Sequence, residues 1–115
     1  MRGWILVAVL AAGPALAGDV TLDAAAITAA LNGRTLAYDD GSRQAFKADG
    51  QTIFDTGTTG SGGSESLGHW AVRGNQYCSV WPPSDTWACY DVTQGSGGIG
   101  FVDAAGAVTL GHAAP

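Results

Sequence analysis

The residues with the most chemistry to offer lie close together in the second half of the chain. Cys78 and Cys89 are the two cysteines of the sequence, with ten residues between them. If the chain is exported, as its N-terminal residues predict, two cysteines favour a disulfide, and a thiolate partnered by His69 or His112 is the competing hypothesis. Because an oxidising compartment leaves few free thiols, we predict a Cys78–Cys89 disulfide rather than a reactive cysteine.

Acid–base and metal chemistry have less support. A hydrolase needs paired carboxylates or a nucleophile with a base. Asp85 and Asp91 flank the second cysteine, while Asp39 and Asp40 fall in a predicted turn, so solvent-facing acids are the simpler interpretation. The two histidines lie far apart without the spacing of a metal site. The sequence therefore predicts no catalytic residue, metal or cofactor, and a hydrolase is the least favoured function.

Two glycine-rich stretches lack the context of a phosphate site. Residues 95–100 match G-x-G-x-x-G, but residues 101–110 predict a hairpin instead of the helix that a dinucleotide site requires. Residues 56–66 contain no apolar side chain, and no Lys follows their glycines. We expect 56–66 to form a long loop, with a lid or binding loop as the alternative.

The N-terminal residues predict export. Arg2 precedes an apolar run at 4–12 that is too short to span a bilayer, and Ala15-Leu16-Ala17 is a small-x-small cleavage sequence. We therefore predict a signal peptide over 1–17, cleavage after Ala17, and one domain over 18–115; an uncleaved anchor is the alternative. The predicted product is a periplasmic or secreted bacterial protein without a stable membrane span after cleavage.

The charge of the predicted mature chain excludes one class of partner. Removing Arg2 leaves four basic and ten acidic residues, a net charge of 4 − 10 = −6. Nucleic-acid binding needs a basic patch or stripe, and none is present, so we expect no nucleic-acid partner. The acidic balance argues equally against adhesion to an anionic membrane.

The pattern along the chain changes from helix to hairpins at Gly33. Asp23 is a predicted N-cap for an alanine-rich helix with Ile27 and Leu31 on one face, and Gly33 is placed to end it. Short strands follow at 34–38, 42–47 and 51–55, separated by turns with Asp-Gly sequences. Such short connections predict neighbouring antiparallel strands.

The cysteine-containing stretch has a predictable register. A two-residue turn at Gly74-Asn75 pairs Arg73 with Gln76, and a hairpin centred on Pro83-Ser84 then places Cys78 opposite Cys89. Strand alternation sorts the side chains into two faces. The richer, candidate core face holds Trp70, Val72, Tyr77, Trp81, Ala88, Tyr90 and Val92. The other holds Cys78, Val80, Trp87 and Cys89, a shallow apolar patch that the helix is a candidate to cover.

These elements predict a mainly β fold. We expect a small antiparallel meander or partly open barrel of about seven or eight strands with one short N-terminal helix, and a two-layer α+β arrangement is the alternative.

The order of motifs resembles a family of small exported bacterial proteins grouped as a domain of unknown function. Trp70-Ala71-Val72, Tyr77-Cys78, Trp81 and Cys89-Tyr90 match its W-x-V, C, W and C-Y-x-V segments. The sequence departs from that pattern at His69, where the family usually has Thr, and at Gln76. The resemblance implies a compact disulfide-bonded β domain outside the cytoplasm, and it implies no catalytic residues.

Two function classes follow. The first is a non-catalytic binding or interaction module of the cell envelope, with Trp81, Pro82, Pro83 and Trp87 as its candidate binding surface. The second is a β-barrel that binds a sugar or other small ligand among Trp70, Tyr77 and Tyr90. An unfilled cavity of roughly 300 Å³ or more would favour the second class. The sequence does not identify the envelope protein or the small ligand.

Overall fold

The computed structural model describes residues 19–56 and 64–114. One helix, α1, spans Ala24–Leu31. The strands, in chain order, are β1 (Val20–Thr21), β2 (Arg34–Tyr38), β3 (Arg43–Phe46), β4 (Gln51–Asp55), β5 (Glu65–Arg73), β6 (Gln76–Val80), β7 (Ala88–Gly95), β8 (Gly98–Val102) and β9 (Val108–Ala113).

Strands β2 to β9 form a closed antiparallel barrel. Each strand pairs with the next along the chain, and β9 returns to pair with β2, which leaves no free barrel edge. The short β1 adds to the side of β7, with Thr21 opposite Thr93. The predicted mainly β class and strand number are confirmed. The sequence predicts a meander or a partly open barrel, and the structure has a closed one.

The last strand, β9, extends beyond the hairpin predicted at 101–110. Residues 112–115 show no strand pattern by themselves and suggest a tail, but β9 continues to Ala113. His112 lies opposite Ala37 of β2, and Gly111 lies opposite Tyr38. Closure of the barrel therefore supplies hydrogen-bond partners that local sequence does not reveal.

The predicted register around the cysteines is confirmed. Arg73 pairs with Gln76, and Cys78 lies directly opposite Cys89 with a Cα–Cα distance of 4.0 Å. The two cysteines form a disulfide, so neither is a free thiol. The hairpin predicted at Pro83-Ser84 would also place Val80 opposite Trp87, but the ladder ends at the pair Ser79–Ala88, because β7 begins at Ala88.

Helix α1 closes one end of the barrel. The Asp23 side chain caps it by accepting a hydrogen bond from the Ala26 amide at 2.9 Å, as predicted, and Gly33 follows it with φ of 75°. Ile27 and Leu31 are fully buried and belong to the barrel's core cluster, so the helix does not cover the disulfide patch. The Ala24 amide also donates to Asn75 Oδ1 at 2.9 Å, which ties the helix to the β5–β6 turn.

Aromatic side chains fill the barrel next to the helix. Phe46 is 1% exposed and contacts Trp70 and Tyr77 edge to face, with ring centroids 5.8 and 5.7 Å away. Phe101 stacks on Phe46 at 6.2 Å. Buried aromatic pairs of this kind are favourable beyond the area they bury. The predicted core residues Trp70 and Tyr77 therefore lie in the core.

Two predictions concern segments that the structure does not describe in full, the signal peptide over 1–17 and the loop over 56–66. The predicted signal peptide and its cleavage after Ala17 lie outside the described residues, as does the segment 57–63. Residues 65 and 66, assigned above to a loop, begin strand β5. Within 19–56 and 64–114, no helix is long and apolar enough to cross a bilayer.

Candidate ligand-binding cavity

The two ends of the barrel differ. The β5–β6 turn at Gly74-Asn75 lies at the helix end, where the core cluster occupies the interior. The turns β2–β3 and β8–β9 and the long β6–β7 connection lie at the opposite end. There the interior contains an open cavity of about 440 Å³.

The cavity has aromatic walls with polar groups between them. Its aromatic lining residues are Tyr38, Phe54, Tyr77, Trp81, Tyr90 and Phe101. Its polar lining residues are Asp40, Ser42, Gln44, Ser66, Ser79 and Thr109, and Pro82 lies at the rim. Apolar walls with a few convergent polar groups are typical of small-molecule sites.

Gln44 organises the polar side of the cavity. Its Nε2 atom donates to Thr52 Oγ1 at 2.9 Å and to the Tyr77 hydroxyl at 3.1 Å. The Tyr38 hydroxyl donates to Gln44 Oε1 at 2.8 Å. Gln44 is only 7% exposed, and these bonds compensate for burying its amide. Two hydroxyls on different strands are thereby held at fixed positions beside the cavity.

Burial changes the acidity of these hydroxyls. Loss of solvent around Tyr38 raises the pKa of its phenol far above the ordinary value, and the nearby Tyr77 and Asp40 add to the increase. Burial likewise raises the pKa of Tyr77, partly offset by hydrogen bonds with Ser79 and Gln44. Both hydroxyls are therefore neutral at physiological pH and able to make hydrogen bonds to a ligand.

Asp40 places a negative charge at the mouth. Its Oδ1 atom accepts bonds from the Ser42 hydroxyl at 2.5 Å and the Ser42 amide at 2.9 Å. These two bonds, that from the hydroxyl above all, lower the pKa of the Asp40 carboxyl below its ordinary value. Among the described residues that line the cavity, Asp40 is the one charged side chain.

Trp81 forms one wall by packing on a glycine. A Cβ atom on Gly68 of β5 would lie 2.6 Å from Trp81 Cε3, so the absence of a side chain there lets the indole lie against the strand. Phe54 of β4 contacts the same indole edge to face, with centroids 6.4 Å apart. These neighbours hold Trp81 at the rim of the cavity.

The residues of the predicted binding surface have different surroundings. Trp81 and Pro82 line the cavity, whereas exposed Pro83 is not part of its lining. The Arg73 guanidinium carbon lies 4.0 Å from the centre of the Trp87 ring. Arg73 and Trp87 thus form a cation–π pair. A binding role for these four residues stays a prediction.

The residues considered for acid–base or metal chemistry are also dispersed. His69 is exposed on β5, as its alternation with Trp70 predicts. His112 Nε2 lies 3.6 Å from Asp39 Oδ1. Asp91 accepts a hydrogen bond from Gln76 at 3.0 Å. Over residues 19–56 and 64–114, no three His, Cys, Asp or Glu side chains are grouped to hold a metal ion.

A second depression, of about 500 Å³, lies beside α1 at the helix end. Alanine, glycine and serine supply much of its lining, together with Arg34 and His112, and no Phe, Tyr or Trp occurs among its described lining residues. Small side chains offer a ligand little contact area, so the aromatic cavity at the open end is the stronger candidate site.

Comparisons with protein-family models, with curated proteins and with solved structures find no significant match to this chain. The resemblance to a family of exported domains stays a prediction, and the candidate site is defined by the geometry of this chain alone.

Sequence reasoning did not single out three polar residues of the cavity. Tyr38 and Gln44 lie on the two strands of the first hairpin, and Asp40 is exposed in the turn between them, as predicted. Tyr38 has the same strand face as Leu36 on β2, and Gln44 has the same face as Phe46 on β3, so alternation predicts that Tyr38 and Gln44 face the core. A polar Gln at an inward position of a short strand is the feature that identifies the site.

Proposed function

We propose that this protein binds a small, partly apolar molecule in the open end of its β-barrel. The observation that carries the proposal is the cavity of about 440 Å³ among aromatic side chains. Sites for small molecules commonly occupy roughly 300–1,000 Å³. The helix and the Phe46 cluster fill the other end, so a ligand would enter from the side opposite α1.

Residue size explains why the barrel is filled at one end only. At the helix end, Phe46 and Trp70 project inward together with Ile27 and Leu31. Towards the open end, Ser79 follows Tyr77 on the inward face of β6, and Ser66 takes the inward position that Trp70 has on β5. Small side chains at these positions leave the volume that the aromatic walls surround.

The compartment belongs to the proposal as well. A disulfide in a small β domain is consistent with a location outside the cytoplasm. We infer that the protein acts in the periplasm or as a secreted protein after removal of residues 1–17. Its ligand would then be a small molecule of the envelope or the surroundings.

An interaction module of the cell envelope is less well supported by the placement of the aromatic side chains. That function would present Trp81 and Trp87 to a partner on one surface. Trp81 instead packs on Gly68 and lines the cavity, and Trp87 is partly covered by Arg73. The arrangement of Trp81 favours contact with a molecule inside the barrel.

A matched pair of variants tests ligand binding. Ser66 lines the cavity, while its neighbour Leu67 on β5 is 61% exposed. Ser66→Trp places a large ring in the mouth, and Leu67→Trp adds the same ring outside. The neutral dye N-phenylnaphthylamine becomes more fluorescent in an apolar site. We expect it to bind the disulfide-bonded protein and the Leu67→Trp variant equally, and to bind the Ser66→Trp variant about tenfold more weakly.

Equal binding to Ser66→Trp and Leu67→Trp, with both variants shown to be folded by circular dichroism, would place the dye outside the cavity. Absence of binding to the unaltered protein, together with no thermal shift in a screen of envelope sugars and small metabolites, would also overturn it.

A further inference from the structure

The hydrogen-bond network beside the cavity has a fixed proton order. Thr52 Oγ1 donates its proton to the Ala45 carbonyl at 2.7 Å, and a carbonyl is only an acceptor. Thr52 Oγ1 must therefore accept from Gln44, so the Gln44 atom that faces it is the amide nitrogen. This determines which of the two terminal amide atoms of Gln44 faces Thr52.

The same order fixes what Tyr38 offers to a ligand. Because Gln44 Nε2 faces Thr52 and Tyr77, Gln44 Oε1 faces Tyr38 and accepts the phenol proton. The Tyr38 oxygen then has lone pairs left and no proton to give. Tyr77 has Gln44 and Ser79 as partners. A ligand group beside Tyr38 must accordingly be a hydrogen-bond donor.

Charge at the mouth selects among donors. Asp40 lies two residues after Tyr38 and lines the same cavity, and the Ser42 hydroxyl and amide both donate to its Oδ1 atom. No Lys, Arg or His occurs among the described lining residues to neutralise this carboxylate or to hold an anion. A positively charged donor is therefore favoured over a neutral one, and a carboxylate or phosphate is disfavoured.

The walls select the rest of the molecule. Phe54, Trp81 and Tyr90 line the same cavity as Asp40 and Tyr38. Their rings provide apolar contact for a ring-sized group, and their faces attract a cation. The acidic chain, with ten acidic and five basic residues, would also raise the local concentration of a cationic ligand.

We propose that the cavity takes a protonated primary amine attached to an apolar ring, with the ammonium between the Asp40 carboxylate and the Tyr38 hydroxyl oxygen. This assignment rests on the proposed function, because it names the ligand class of the same cavity. Asp40 acts as the counter-ion, Tyr38 as the hydrogen-bond acceptor, and the aromatic walls hold the ring.

Three probes of one shape test the assignment by isothermal titration calorimetry. Phenethylamine, phenethyl alcohol and hydrocinnamate share the phenyl ring and two-carbon chain and differ in an ammonium, a hydroxyl or a carboxylate. We expect the disulfide-bonded protein to bind phenethylamine about tenfold more tightly than phenethyl alcohol, and hydrocinnamate most weakly.

Two charge-removing variants locate the effect. Asp40→Asn keeps an oxygen that can accept from Ser42 but removes the charge. Because Asp40 is exposed to solvent, we expect this variant to weaken phenethylamine binding about threefold and to leave phenethyl alcohol binding unchanged. Asp85→Asn removes one negative charge from the β6–β7 connection, outside the cavity lining. This variant should change the affinity for neither phenethylamine nor phenethyl alcohol. Equal effects of the two variants would mean that general acidity, not Asp40, attracts the amine.

The outcomes separate the ligand class from the function. If phenethyl alcohol or hydrocinnamate binds as tightly as phenethylamine, the amine assignment is wrong and ligand binding in the barrel stands. If none of the three binds while N-phenylnaphthylamine still distinguishes Ser66→Trp from Leu67→Trp, the amine assignment alone is overturned. If the dye also fails to bind and the thermal-shift screen finds no ligand, the proposed function is overturned with it.

Discussion

The indole of Trp81 lies against the backbone of Gly68, so closely that a Cβ atom on Gly68 would be 2.6 Å from Trp81 Cε3 and 2.7 Å from the Val80 carbonyl oxygen. Trp81 forms a wall of the cavity, and Gly68 is buried on β5. The shape of the candidate site thus depends on a residue that contributes no side chain.

Gly68→Ala is expected to displace Trp81 and to destabilise the barrel. Because the added methyl group meets backbone as well as the indole, the free energy of unfolding should fall by about 1–3 kcal/mol. Urea denaturation measures this, and a shift in tryptophan fluorescence reports the movement of the ring. Gly97→Ala is the control, since its Cβ would meet only Leu110 Cδ1 at 3.9 Å. Equal effects at both positions would show that the Trp81 contact is unimportant.

The disulfide is expected to stabilise the folded chain. Cys78 and Cys89 are 11 residues apart, and closing so short a loop in the unfolded chain is worth about 2–3 kcal/mol on the chain-entropy model. The double variant Cys78→Ala/Cys89→Ala should lose that amount in urea denaturation. Adding a reductant should destabilise the unaltered protein similarly and leave the double variant unchanged. A reductant effect on the double variant would contradict this explanation.

Replacing threonine by valine should have opposite effects at two buried positions. Thr93 Oγ1 is buried without a hydrogen-bond partner within the described part of the chain, so Thr93→Val should raise the free energy of unfolding by about 1 kcal/mol. Thr52 is fully buried and bonds to both Ala45 and Gln44. Thr52→Val removes the hydroxyl that bonds to the Ala45 carbonyl and the Gln44 amide, so it should lower the free energy of unfolding by about 1–3 kcal/mol. Chemical denaturation of both variants tests the pair, and a loss at Thr93 would show that its hydroxyl has a partner.

Alkaline pH should destabilise the protein through its buried tyrosines. The pKa values of Tyr38 and Tyr77 are raised in the folded state, chiefly by burial. Their stabilising contribution is fully present below the ordinary phenol value, about pH 10, and is lost progressively as the pH rises towards the folded pKa values. The free energy of unfolding should therefore fall above about pH 10. Tyr38→Phe should reduce this dependence in urea titrations at increasing pH. An unchanged slope would mean that Tyr38 ionises as readily when folded as when unfolded.

Local sequence was sufficient for much of the cysteine region. The Gly74-Asn75 turn determines that Arg73 pairs with Gln76, and alternation then carries the register to Cys78 and Cys89. The helix boundaries follow in the same way from Asp23 and Gly33, because caps depend on neighbouring residues. Strand alternation also predicted that Trp70 and Tyr77 face the core.

The candidate site was less accessible to this reasoning because it combines residues from most of the strands. Asp40 is a solvent-facing turn acid in both the sequence and the structure, and only the folded barrel shows that it lines the same cavity as Tyr38 and Tyr77. Trp81 and Trp87 look alike in sequence, yet the connection between β6 and β7 directs one into the cavity and the other against Arg73. Alternation fails there because residues 81–87 belong to no strand.

The mainly β class, the helix and the pairing of Cys78 with Cys89 follow from local sequence, since each depends on turns, caps and alternation over a few residues. The closure of β9 on β2, the filling of one end by Ile27 and Leu31, and the cavity at the other end are visible only in the folded barrel. A cavity is the difference between the volume that a closed barrel encloses and the volume that its inward side chains occupy. That difference depends on all eight strands at once.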